Sequence, residues 1–133
     1  MSLTQFYKGS GAGQPLFKKY GKVFYDQTNT GIVIANFQGN KLFLGSGTAK
    51  ALITIVGTKA FLGSSTANCI FNLSRGIIFQ GAGQDIPLYL PVGNKLYEGS
   101  STAKMMMNWT GQPLTHNYLL SAVLIMQTRY KVL

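Results

Sequence analysis

Short apolar runs punctuated by Gly, Ser, Thr and Asn recur along the chain: Leu52-Ile53-Thr54-Ile55-Val56-Gly57, Ile70-Phe71-Asn72-Leu73, Leu88-Tyr89-Leu90 and Met105-Met106-Met107-Asn108-Trp109. Runs of this length between turn residues are too short for helices and predict β-strands. Pro87 and Pro91 flank the third run and predict an edge or a bend there. The longest apolar stretch, Leu119-Leu120-Ser121-Ala122-Val123-Leu124-Ile125-Met126, falls far short of the roughly 20 residues a membrane-spanning helix needs. It reads as a buried strand.

The pattern is periodic. Lys41-Leu42-Phe43-Leu44-Gly45-Ser46-Gly47-Thr48-Ala49-Lys50 returns 18 residues later as Lys59-Ala60-Phe61-Leu62-Gly63-Ser64-Ser65-Thr66-Ala67-Asn68. Further steps of 18 reach Ile77-Ile78-Phe79-Gln80-Gly81 and Lys95-Leu96-Tyr97-Glu98-Gly99. An earlier copy is Phe6-Tyr7-Lys8-Gly9-Ser10, and Lys22-Val23-Phe24-Tyr25-Asp26-Gln27 reads as a degenerate copy that has lost its glycine. Each unit is one hairpin, with glycine supplying positive φ and Ser or Thr bonding turn groups.

The expected fold is therefore all-β, with repeated hairpins of about 18 residues forming a sandwich or barrel; a triangular β-solenoid is the alternative. One domain spans residues 1–133, with repeats over about 5–112 and a non-repeating closing segment over 113–133. Phe43, Phe61, Phe79 and Tyr97 share one strand face, while Leu42, Ala60, Ile78 and Leu96 occupy the other. Both faces are apolar, which implies that both are covered, the second by a neighbouring subunit or repeat.

Composition sharpens this. Twelve Lys+Arg against three Asp+Glu give a net charge of +9, which favours an acidic partner: nucleic acid, an anionic membrane surface or an acidic protein lattice. Charged residues are only 11% of the chain, about half the usual share. The single Cys69 sits in an apolar run and excludes an internal disulfide framework. Residues Met1 to Lys8 hold no apolar core of signal-peptide length, so synthesis in a cytoplasm is expected.

Catalytic chemistry is sparsely represented. There is one histidine, His116, and the acids Asp26, Asp85 and Glu98 are scattered over different copies. Neither a metal-ligand cluster nor a phosphate-loop motif is visible, so no cofactor, no metal and no catalytic set is assigned. The lysines are more telling. Lys22, Lys41, Lys59 and Lys95 read as one repeat position, and Lys50 and Lys104 as another, so regular stacking would line them into a basic ridge. Lysines at strand ends also serve simply to discourage edge-to-edge aggregation. A denser basic and aromatic group near the N-terminus, including Lys8, Lys18, Lys19, Tyr20 and Tyr25, suits single-stranded nucleic acid. A carbohydrate-binding module with one site per repeat ranks last, because its amide and acid ligands do not recur.

The units Lys41-Leu42-Phe43-Leu44-Gly45-Ser46, Lys59-Ala60-Phe61-Leu62-Gly63-Ser64 and Lys95-Leu96-Tyr97-Glu98-Gly99-Ser100 resemble the Lys-aliphatic-Tyr-x-Gly-Ser repeats of tailed-bacteriophage structural proteins, over roughly residues 5–112. The resemblance departs at Asp26-Gln27-Thr28, at Ile77 and in the closing segment. It implies a non-enzymatic virion component, either a capsid decoration (cement) protein or a tail or neck component. The leading expectation is a decoration protein made in the host cytoplasm, a homo-oligomer of which a trimer is the form considered, that binds an acidic capsid protein without a membrane. Phe43, Phe61, Phe79 and Tyr97 are its expected anchors and the lysines its steering charges. Single-stranded nucleic acid is the alternative partner.

Overall fold

A computed structural model describes residues 3–26 and 32–130, without the side chain of Tyr130. The degenerate stretch at Gln27–Gly31 and the last three residues of the closing segment lie outside the described residues. Twelve antiparallel strands close into a barrel: β1 (Leu3–Lys8), β2 (Phe17–Tyr20), β3 (Val23–Asp26), β4 (Val33–Gln38), β5 (Lys41–Leu44), β6 (Ala51–Val56), β7 (Lys59–Leu62), β8 (Cys69–Ser74), β9 (Ile77–Gln80), β10 (Pro87–Val92), β11 (Lys95–Glu98) and β12 (Met105–Trp109). Neighbours in sequence are neighbours in the wall, and β12 pairs with β1 to complete it. The all-β hairpin expectation is met, in its barrel form rather than as a solenoid.

The 18-residue period is written into the backbone. Two-residue turns join β2 to β3, β4 to β5, β6 to β7, β8 to β9 and β10 to β11, so all five lie at one end of the barrel. The first turn residue has positive φ, between 59° and 65° at Gly21, Gly39, Gly57 and Gly93. A glycine there matches the turn twist to that of the strands. The longer described connections from strand to strand lie at the other end, where each begins with a positive-φ glycine.

Five bulges fall 18 residues apart, at Ile34, Leu52, Ile70, Leu88 and Met106. At each, two consecutive residues, such as Ile34-Ala35 and Met106-Met107, pack with the core. The bulges explain why the runs lack strict alternation: the extra residue resets the pleat and increases the local twist that closure needs.

Leu119–Met126 is not a strand. It lies in α1 (His116–Ile125) and its continuation, a π-helical turn over Met126–Tyr130. Seven successive residues, Leu119 to Ile125, are buried, as is Met126. They belong to the same core as the inward wall residues Phe6, Phe24, Leu42, Ile53, Ile78 and Leu96. A helix buried on every side is one threaded through the lumen. It enters from the short-turn end, where the Tyr118 ring meets Phe24 at 6.5 Å and Phe37 at 5.6 Å. It leaves at the long-loop end, where Leu124, Ile125, Thr128 and Arg129 face Ile34, Leu44 and Leu52 across a groove of about 230 Å³.

Pro91 occupies no edge, since the closed barrel has none. It pairs with Leu96 inside the ladder. At the equivalent positions Phe37, Ile55, Leu73 and Trp109 the backbone N–H donates to the preceding short turn. Pro91 forgoes only that bond.

Candidate docking face

The short turns place a recurring set of side chains at one end of the barrel. Lys41, Lys59 and Lys95 each follow a turn on the first residue of the returning strand. Lys22 stands one residue out of register with them, inside its turn, and Val23 takes the strand position. The misalignment arises because Phe24 resembles Phe43 in type, whereas Tyr25 is its equivalent by the period of 18. Arg75 occupies the first turn position of β8–β9, and its guanidinium donates to Gln84 Oε1. Lys50 and Lys104 lie at the opposite end, in the long loops, where Lys104 pairs with Glu98 at 3.5 Å. The lysines thus form two groups at opposite ends rather than one ridge.

The separation of charge is pronounced. Lys19, Lys22, Lys41, Lys59, Arg75 and Lys95 sit at the short-turn end. Among the described residues no acid lies in the short turns or on the strand residues that flank them. Asp26 and Glu98 end strands that lead into long loops, at the end that also carries Lys8, Lys50, Lys104 and Arg129, whereas Asp85 lies in the long loop whose Gln84 reaches along the wall to Ser74 and Arg75.

Apolar residues break through the same cationic rim. Tyr20, Val56 and Val92, each immediately before a short turn, are 46%, 48% and 47% exposed. The intervening equivalents Gln38, Ser74 and Thr110 are polar. Sequence reasoning missed this set, although a period of 36 residues was available in the sequence to find it.

Phe43, Phe61, Phe79 and Tyr97 stand on the outer wall, and Tyr7 and Tyr25 complete a circle of six aromatics 18 residues apart. Phe79 is buried and the other five are half-buried. Part of this cover is the chain's own. Asn36, Asn72 and Asn108 each donate to two carbonyls of a long loop, Gly45 and Gly47, Gly81 and Gly83, or Gly9 and Gly11, holding it against the wall at 2.7–3.0 Å. Thr54 donates likewise to Gly63 O.

The basic and aromatic group near the N-terminus is dispersed. Lys8 lies at the long-loop rim, Lys18 and Tyr25 on the outer wall, and Tyr20 at the short-turn rim. Lys19 alternates to the inner side, where its ammonium lies 4.4 Å from the centre of the Tyr118 ring. Burial lowers the pKa of Lys19 and raises that of Tyr118. Cys69 donates to Gly81 O and Phe71 O at 3.5 and 3.6 Å. Burial raises its thiol pKa, against an opposing pull from Lys59. His116 is exposed on the first residue of α1. Among the described residues, no three of His, Cys, Asp and Glu gather as a metal site.

No protein-family model, curated protein or solved structure matches the chain.

Proposed function

We propose that this chain is a non-enzymatic structural protein of a tailed-bacteriophage virion, a capsid decoration protein that docks on an acidic capsid lattice. The observation that carries the reading is the gathering of six cations at the short-turn end, with Asp26 and Glu98 at the other. A cationic face steers association with an acidic surface and fixes which end approaches it. The exposed Tyr20, Val56 and Val92 supply apolar contact within that face, of the kind that carries affinity after encounter. The lumen, where a small barrel can hold a ligand, is occupied by the chain's own helix.

The phage resemblance supplies the class of surface, and the repeats it rests on are the hairpins of the barrel wall. The wider separation of Lys8, Lys18, Lys19, Tyr20 and Tyr25 weakens the nucleic-acid alternative, which needs stacking rings and cations along one groove.

Immunogold electron microscopy of virions from the producing culture tests the reading. Gold on the heads is expected. Gold confined to tails or necks, or virions that carry none, overturns it. Fluorescence anisotropy with an oligothymidylate at low salt is the companion measurement: tight, salt-dependent binding alongside unlabelled heads transfers the assignment to nucleic acid.

A further inference from the structure

The short-turn end has a symmetry that a chemically featureless acidic surface would not use. The 18-residue unit recurs six times around the wall, so neighbouring hairpins are related by a pseudo-sixfold rotation about the barrel axis. Five of the six hairpins bring at least one cation to this end: Lys22, Lys41, Lys59, Arg75 and Lys95 in turn. Every second hairpin also brings an apolar tip, Tyr20, Val56 or Val92. These tips are 36 residues apart, which places them a third of a turn from one another.

We infer that this end seats on the sixfold axis of an acidic ring of six protein subunits, one barrel per ring. The inference rests on the virion reading above, in which that ring is a capsid hexamer. On such an axis each hairpin meets an equivalent acidic patch, and each apolar tip meets an equivalent position on alternate subunits. The contacts are then engaged together, and every contact after the first is effectively intramolecular. On a surface without that rotation, only one or two hairpins would find their complement at once. The rotational order of the face thus selects a cyclic partner, as it does where closed rings assemble.

The alternatives fit less well. Three of the six tips are apolar, one of them aromatic, and Leu3 beside Tyr20 is a fourth exposed apolar side chain, still a sparse set for entry into a lipid headgroup layer. Tyr20 is the one exposed ring among the tips, too few for a track of stacked bases.

Cryo-electron microscopy of virions, reconstructed without imposed symmetry inside each hexamer, tests the placement. One mass of about the size of this 14.5 kDa chain is expected over each local sixfold axis, with its short-turn end facing the shell. The triple variant Tyr20→Ser, Val56→Ser, Val92→Ser is expected to bind heads stripped of the protein at least about tenfold more weakly. The sites are exposed, and circular dichroism is the check that the variant is folded. Lys41→Glu, Lys59→Glu, Lys95→Glu provides a second disruption, expected to slow docking and abolish its salt dependence. Mass on the head but away from these axes, or triple variants that bind as well as the parent chain, overturns the symmetry inference and leaves the virion reading standing. Heads with neither mass nor gold overturn both. Equal affinity for anionic phospholipid vesicles and for stripped heads also rejects it.

Discussion

The Gly9 N–H donates to the Met106 carbonyl at 2.9 Å, although 97 residues separate the two. The same bond joins Gly45 to Ile34, Gly63 to Leu52, Gly81 to Ile70 and Gly99 to Leu88, all at 2.8–2.9 Å. The seam between the first and last strands is therefore built as every other contact between units. Its lumen side is aromatic: Phe6 stacks on Phe17 at 4.4 Å and lies 5.9 Å from Trp109.

A seam of that kind makes unfolding a single event. Phe6→Ala is expected to cost about 3–5 kcal/mol, since the ring is fully buried among other rings. Trp109, the one tryptophan, reports the seam by its fluorescence, and circular dichroism reports the whole wall. The two urea transitions are expected to coincide in the parent chain. A tryptophan transition that precedes loss of strand signal would show that the seam opens by itself.

The helix is a structural element of the core rather than an appendage. Leu120→Ala is expected to lower stability by about 2–5 kcal/mol, and Leu120→Asp to prevent folding, because a carboxylate would be buried without a partner. Exposed Gln112→Asp serves as the control, with a change under about 0.5 kcal/mol. Expression yield and urea midpoints check all three. A folded Leu120→Asp of normal stability would contradict the threaded arrangement.

The same helix marks where sequence reading ran out. Leu119 to Met126 is apolar on every side, so it carries no 3.6-residue stripe, and length alone favoured a strand. A barrel wide enough to need a filler is not visible in any local window. The hairpins were legible because a sixfold wall forces the same residue types to the same places. The one misregistered unit contains Gln27 where the others have glycine, and Phe24 beside Tyr25 offers two alignments. The two apolar faces were legible too, but their covers were not: the helix fills the inner one, and loops held by Asn36, Asn72 and Asn108 shield part of the outer one.

Lys19 makes stability depend on pH. Burial beside the Tyr118 ring desolvates its ammonium and lowers its pKa in the fold. Between that lowered value and the unfolded value of about 10.4, the unfolded chain binds more protons, so Lys19 adds stability as pH rises through this window. Tyr118 and Cys69, both raised, act oppositely at the alkaline end. Urea midpoints of the parent chain and Lys19→Met, followed from pH 7 to 10.5, are expected to differ by an amount that shifts in favour of the parent with rising pH. Parallel curves would remove the assignment.

Arg75 is the one non-glycine described with positive φ, at 53°, followed by Gly76 at 78°. That pair of angles is the turn in which Asn-Gly is preferred. Arg75→Asn is expected to relieve strain of about 1 kcal/mol and to lose a weaker exposed hydrogen bond to Gln84. The net effect is a rise in Tm of about 2 °C, measurable by calorimetry. A fall in Tm would mean that the guanidinium contact dominates.

The lumen is not as uniform as the wall. Phe6, Phe17, Phe24 and Trp109 crowd one side of it, whereas Ala60 lines another. The rod inside consequently fits in a single rotational setting, like a key cut on one edge. Hairpins alike enough to trade places by their backbone cannot be shuffled, since each has acquired its own seat opposite the helix. A tandem of duplicated ribbons has in this way become an object with a front and a back.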